Sequence, residues 1–177
     1  MRAVRRKSGH AISEFAAALI VLVTFVFAPL INVGIVPIRY LMAQGVLTEL
    51  CHRVVLSERR SEAISLFTNE LWSKSVLQKC GVEVSNAKIG LTVLGKDNSK
   101  LSIVGAEPIP SEWLPGGSME ASVFSLEISV DCAIAPLFQT SPGLPGFTSP
   151  VVMKLKASSP WENFGIDPVS QEYFVNE

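Results

Sequence analysis

The chain has 177 residues, of which 48% are hydrophobic and 18% are charged, and 15 Lys and Arg nearly balance 16 Asp and Glu. A mean hydropathy of +0.36, with a charged content below the usual ~25%, indicates a membrane protein with one spanning segment and one modest domain, and excludes multipass and disordered chains. Residues 1–60 hold 8 basic and 3 acidic side chains (+5), and residues 61–177 hold 7 and 13 (−6). This asymmetry disfavours nucleic-acid binding, because the only basic run adjoins the apolar segment.

The first element is the apolar run 15–38, which holds no charged side chain. As an α-helix it would reach ~36 Å, against a hydrocarbon core of ~30 Å, so it can span a bilayer. Positive residues ahead of it predict a cytoplasmic N-terminus and an external C-terminal domain; they are Arg2, Arg5, Arg6 and Lys7. A cleaved secretory signal fits poorly, because the apolar run is long and the best small-x-small site, 43–45, comes too late.

Helical periodicity continues beyond the apolar run. Pro29 and Pro37 predict a bent or locally melted helix between residues 28 and 39. Apolar residues then recur at steps of three and four, which extends the helix past the membrane; they are Leu47, Leu50, Cys51, Val54 and Val55. A second helix is predicted over 61–79, with Gly81 as its stop signal, so this part is a helical hairpin or one kinked helix.

The apolar period changes to two after Gly81, which predicts strands. Alternation around Ile89–Val93 and Leu101–Ile103, across the turn at 96–99, predicts a hairpin. The strand with the clearest alternation has an apolar residue at every even position from Phe124 to Ile134. One of its faces is therefore expected to be buried in the core and the other exposed to solvent. A fourth strand follows at 151–157. The loop 136–150 is rich in proline, and the tail 160–177 has no period.

One motif precedes the apolar run: Arg5-Arg6-Lys7-Ser8-Gly9-His10-Ala11-Ile12-Ser13-Glu14-Phe15. It resembles the type III signal of the type IV pilin superfamily, in which prepilin peptidase cuts after a Gly on the cytoplasmic side. The resemblance implies that His10 is the first mature residue and Glu14 the fifth. Phe15 as the sixth residue, before a run of small apolar residues, is most similar to the TadE-type minor pilins (pseudopilins) of the tight-adherence (Tad/Flp) system.

Glu14 has two interpretations at the head of the apolar helix. It can be an interfacial carboxylate favoured by the helix macrodipole. The resemblance implies instead that Glu14, with Phe15 beside it, takes part in assembly, pairing with the freed α-amino group of an adjoining subunit. A carboxylate at mid-membrane would cost roughly 2.5–3.5 kcal/mol, and much less near the interface.

The three cysteines of the exported part predict one disulfide and one spare thiol. Cys80 ends the second helix and Cys132 lies on the core face of its strand, so the predicted bridge joins these two; three free buried thiols are the alternative. Cys51 and His52 point different ways on a helix, so no metal site is expected. No catalytic motif is present, and neither enzyme activity nor a cofactor is predicted.

The resemblance implies an α+β, pilin-like protein of the bacterial inner membrane: a single N-terminal transmembrane helix, a periplasmic helical stalk and an antiparallel sheet of about four strands. The expected parts are a prepilin leader (1–9), the transmembrane helix (10–38), the stalk or hairpin (39–80), the β domain (81–159) and a C-terminal tail (160–177). The implied partners are prepilin peptidase, other major and minor pilins and the inner-membrane assembly platform. An unprocessed membrane protein whose β domain binds an envelope partner is the alternative, and a membrane-tethered hydrolase is a third, disfavoured possibility.

Overall fold

A computed structural model describes residues 8–69, 71–114, 117–118, 121–138 and 149–161. The predicted tail from residue 162 onward, the leader through residue 7 and most of the loop 136–150 lie outside the described residues. The helices are α1 (Ser8–Leu22), α2 (Ala28–Val55), α3 (Arg60–Asn69) and α4 (Leu71–Lys79). The strands are β1 (Val82–Gly95), β2 (Lys100–Val104), β3 (Ala121–Ile134) and β4 (Val151–Pro160). The fold is α+β, as predicted.

α1 and α2 belong to one long helix, joined by a π-helical turn at Val23–Phe27. In this turn the N–H of Ala28 bonds to the carbonyl of Val23, five residues back. Pro29 follows directly, and it has no N–H to give to the carbonyl four residues earlier. The wider turn thus comes just before the proline, as π-bulges often accommodate such interruptions. The predicted irregularity between residues 28 and 39 is therefore displaced toward the N-terminus, and Pro37 lies inside the intact α2.

The sheet has four antiparallel strands in the order β2-β1-β3-β4. The predicted hairpin is confirmed, since Leu91 pairs with Ile103 and Val93 with Leu101. The alternation in β3 is also confirmed: its even positions are buried, from Phe124 to Ile134. β4 pairs with β3 on the side away from β1. β3 is thus a central strand, and its one-sided apolar pattern defines the face that receives the helix.

α2 lies along this face and forms the core with it. Ala43, Leu47 and Val54 are buried on the helix, at the steps of three and four that the sequence predicts. The helix packs on β3 and β4; α4 packs on β1, and both α3 and α4 contact α2. The part of the chain expected to form a stalk is therefore packed against the sheet, and the packed part of the helix begins at Asn32.

Gly81 ends α4 as predicted. Its φ of +74° is in the left-handed region, which glycine adopts without a steric penalty. The N–H of Cys80 bonds to the carbonyl of Val76 and that of Gly81 to the carbonyl of Gln78, which satisfies two of the carbonyls at the helix end. β1 then begins at Val82, so this single residue turns the chain from helix into sheet.

Candidate functional site

The exposed N-terminal half of the long helix is the candidate site. From Ala11 to Ile31 the described residues are exposed or half-buried, and none is buried. Its large apolar side chains face outward, with Ile12 at 72% and Phe15 at 69% exposure. The helix Ala11–Val55 is long and apolar enough to cross a membrane. An apolar helix without cover from its own domain needs lipid or another apolar helix around it.

The residues predicted for processing and assembly lie at the start of this helix. Gly9 and His10 are in the first turn of α1, which begins at Ser8. Glu14 and Phe15 follow in the next turns and are both exposed. Glu14 and Phe15 thus lie on the exposed part of the helix. The sites of cleavage and assembly remain predictions.

Residues 11–31, the exposed part of the long helix, are called the free helix. Asn32 is the boundary between the free helix and the part that packs on the sheet. This side chain is 3% exposed although it lies within the uncharged run. Its Nδ2 donates to the carbonyl of Phe138 and its Oδ1 accepts from the N–H of Phe138, both at 2.9 Å. Sequence reasoning missed this residue; a lone amide within the long uncharged run is the signal that could have found it, because a buried amide needs partners.

A second polar contact lies further along the same face of the domain. The guanidinium of Arg39 donates to the carbonyl of Ala135, just after the end of β3. The N–H of Ala135 in turn donates to the carbonyl of Gly81 at 3.0 Å. Arg39 thus joins α2, the α4–β1 turn and the end of β3 at one point.

The cysteines are free thiols in the structure, so the predicted Cys80–Cys132 disulfide is not formed in it. In the sheet register Cys132 lies opposite Val84, four residues along the chain from Cys80. Burial raises the pKa of the Cys132 thiol, and it raises the pKa of Cys51 to about 11. The thiol of Cys51 donates to the carbonyl of Leu126 at 3.5 Å. Both buried thiols are thus poor nucleophiles, and the pairing of Cys80 with Cys132 stays a prediction.

A cavity of about 220 Å³ lies between α2, the α3–α4 pair and the sheet. Its lining is mostly apolar, and Lys74 is its one charged residue within the described chain. No three His, Cys, Asp or Glu residues of that same part lie close enough to hold a metal ion. The described surface that stands out chemically is therefore the exposed apolar helix.

Comparison with known proteins finds no matching family model, and no match among curated proteins or solved structures. The function is accordingly inferred from this chain's own residues.

Proposed function

We propose that this protein is a TadE-like minor pilin, or pseudopilin: a processed, single-pass inner-membrane subunit that helps to initiate or assemble a Tad-type pilus. The observation that carries the proposal is the basic leader, Gly9 and Glu14 at the spacing of a prepilin signal, at the start of a helix whose apolar surface its own domain leaves uncovered. Major and minor pilins, prepilin peptidase and the assembly platform are the proposed partners.

The exposure of the helix supports a role in packing between subunits. Within a bundle of pilins, apolar side chains such as Ile12 and Phe15 would pack against neighbouring helices. A freed ammonium at His10 would lie in a low-dielectric bundle, where an unpaired charge costs several kcal/mol. Glu14 is the only acid in the chain before Glu49. In this proposal Glu14 of one subunit neutralises the amino terminus of the next and so sets the axial register.

The proposed orientation places the N-terminus in the cytoplasm and the sheet domain in the periplasm, on the basis of the four basic residues ahead of the helix. Cutting after Gly9 removes these four, which leaves 11 Lys and Arg against 16 acids, a net charge of −5. The mature subunit would then carry no Lys or Arg before Arg39, so its free helix would be held by apolar contacts and by Glu14 alone.

The first test is the mature N-terminus, read by mass spectrometry of the membrane-extracted protein. A chain that begins at His10, and a Gly9→Val variant that keeps Met1, are the expected results. An intact Met1 in cells with active prepilin peptidase would contradict the proposal and favour an unprocessed membrane protein whose sheet domain binds an envelope partner.

The second test separates assembly from processing. Glu14→Ala should be inserted and cut normally, because insertion depends on the apolar run and its basic flank. It should no longer co-purify with other pilins or support piliation. Glu49→Ala is the matched control, because Glu49 lies on the packed part of the helix, where it pairs with Arg53 at 2.9 Å. If Glu14→Ala cells make normal pili while Gly9→Val cells make none, the charge-pairing mechanism is excluded.

A further inference from the structure

Two long stretches of the chain carry no charged side chain, and described residues of both meet in the fold. One is 15–38, and the other is 132–153, which holds no Asp, Glu, Lys or Arg. They are the two longest such stretches in the chain, and at the overall charged content of 18% each would be expected to carry several charges. The described part of the second stretch comprises the end of β3, residues 135–138, and residues 149–153 at the start of β4.

The contact between the two stretches is the pair of hydrogen bonds that join Asn32 to the backbone of Phe138. This contact fixes the segment 135–138 beside the helix at the point where the free helix ends. Leu137 and Phe138 remain 49% and 43% exposed there. They are large apolar side chains on the surface of the domain, next to the segment that can span a membrane.

The length of the free helix places this contact at a membrane boundary. Counted from Phe15, where the uncharged run begins, a hydrocarbon core of ~30 Å takes ~20 residues of helix and ends near residue 34. Asn32 then lies within one turn of the edge of the core. The first charge on the helix beyond it is Arg39, ~10 Å farther on, which is within the headgroup region of a bilayer. The level of Leu137 and Phe138 is therefore that of the acyl-headgroup boundary.

The backbone groups of Ala135 and Phe138 are hydrogen-bonded within the protein, which suits an environment with little water. Both polar groups of the Phe138 backbone bond to Asn32. The carbonyl of Ala135 accepts from Arg39 and its N–H donates to Gly81, while Pro136 has no N–H to satisfy. In an apolar surrounding each unpaired backbone group would cost several kcal/mol, whereas a segment in water needs no such partners.

We propose that the segment 135–138 is a second membrane contact, with Leu137 and Phe138 inserted into the outer part of the leaflet from which the domain emerges. The occupant of this surface is lipid, because the surface is uncharged, continuous with the spanning helix and held at the depth of the bilayer edge. This contact sets the tilt of the sheet domain relative to the membrane plane. A single spanning helix would leave that tilt unrestrained, whereas a second contact beside the helix restrains it. The inference rests on a membrane-spanning helix and is independent of processing and pilus assembly.

Quenching by brominated lipid tests the proposal. Full-length Phe138→Trp is reconstituted in vesicles of phosphatidylethanolamine and phosphatidylglycerol, with and without dibrominated acyl chains, and the emission of the parent with its three native tryptophans is subtracted. Insertion by ~5–10 Å predicts a blue-shifted added emission and about a twofold or greater loss with bromine near the headgroup. Leu56→Trp is the matched control: it is 54% exposed but lies ~36 Å of helix away from Asn32, so no quenching is expected.

Equal quenching at positions 138 and 56 would overturn the proposal. So would an added emission from position 138 that is blue-shifted but not quenched by brominated lipid, because the surface would then be covered by a second copy of the chain. If Phe138→Trp does not fold, the more exposed Leu137 is replaced by Trp, and the same comparison decides. A chain that keeps Met1 yet shows the quenching would remove the pilin proposal and leave this one standing.

Discussion

The guanidinium of Arg39 lies against the α-carbon of Gly81. A β-carbon at position 81 would come within 2.6 Å of the Arg39 Nη1 atom. Gly81 therefore meets two requirements: it has a φ of +74°, and it leaves the space through which Arg39 reaches the carbonyl of Ala135. The residue that ends α4 thus also sets the position of the only Lys or Arg on the helix between Glu14 and Glu49.

Replacing Gly81 tests this double role. We expect Gly81→Ala to lower the free energy of unfolding by about 2 kcal/mol, since the left-handed conformation costs ~1 kcal/mol and Arg39 must give up its hydrogen bond to move aside. Gly45→Ala is the control, because Gly45 is an exposed position inside α2 with open space around it. That change should stabilise by about 0.5–1 kcal/mol. Chemical unfolding in micelles measures both, and equal effects would contradict the argument.

A second prediction concerns Arg60, which is 5% exposed at the start of α3. Its guanidinium donates to the carbonyls of Gly105 and Glu107 and so holds the chain after β2 against the helix. Burial lowers the pKa of this group, and the two carbonyl partners offset the loss of water. We expect Arg60→Ala to cost about 3 kcal/mol in unfolding free energy, because charge-assisted bonds of ~1.5–3 kcal/mol each are lost. The exposed neighbour Arg59→Ala should change it by less than about 0.5 kcal/mol; a similar loss at both positions would show that burial of Arg60 is unimportant.

The elements of the fold were predictable because each follows a local period. In β3 the buried residues recur at every second position, and in α2 they recur at steps of three and four. Each spacing therefore predicts that one side of its element is buried. Neither pattern says what covers that side. The sequence therefore predicted a stalk beyond residue 39, while the structure packs the same helix face onto β3.

The polar contacts where the exposed helix meets the sheet domain were not predictable from such patterns. Asn32 and Phe138 are 106 residues apart, and Arg39 and Ala135 are 96 apart. An amide within an apolar run indicates that a hydrogen-bond partner is needed. The partner of Asn32 is the backbone of Phe138, and since every residue has a backbone, the sequence does not identify which one. Likewise the motif proposed for cleavage and assembly is local and can be read from the sequence, whereas the proposed depth of the domain at a membrane depends on the tertiary fold.

A third prediction follows from the Cys51 thiol, whose pKa burial raises from 9.0 to about 11. Between these pH values the unfolded chain loses the proton and the folded chain keeps it, so the unfolded state binds fewer protons and stability falls as pH rises. The contribution of the protonated Cys51 thiol to the free energy of unfolding is therefore fully present below about pH 9 and is lost as the pH passes 11. The destabilisation caused by Cys51→Ala should therefore be about 2 kcal/mol smaller at pH ~11 than at pH ~8. The destabilisation by Val54→Ala, a buried neighbour without a titrating group, should be equal at both; parallel changes would exclude thiol ionisation.

The final prediction concerns the hydrogen bonds between Asn32 and Phe138. Asn32→Leu keeps the size of the side chain but leaves the N–H and carbonyl of Phe138 without their partner in an apolar surrounding. Two lost bonds of ~1 kcal/mol each, together with the desolvation of the unpaired groups, predict about a 100-fold faster amide exchange at Phe138.

Val36→Ala is the comparison, since Val36 is buried one turn farther along the same helix and makes no side-chain hydrogen bond. Val36→Ala should lower overall stability while the protection of the Phe138 amide changes no more than that of the amides of β3. In vesicles Asn32→Leu should also weaken the bromine quenching of Phe138→Trp, because a backbone without partners is costly to keep beside the hydrocarbon and the segment would withdraw toward water. Unchanged exchange at Phe138 in Asn32→Leu would show that the segment is held in place by its packing alone, and that the amide is not what joins the sheet domain to the end of the free helix.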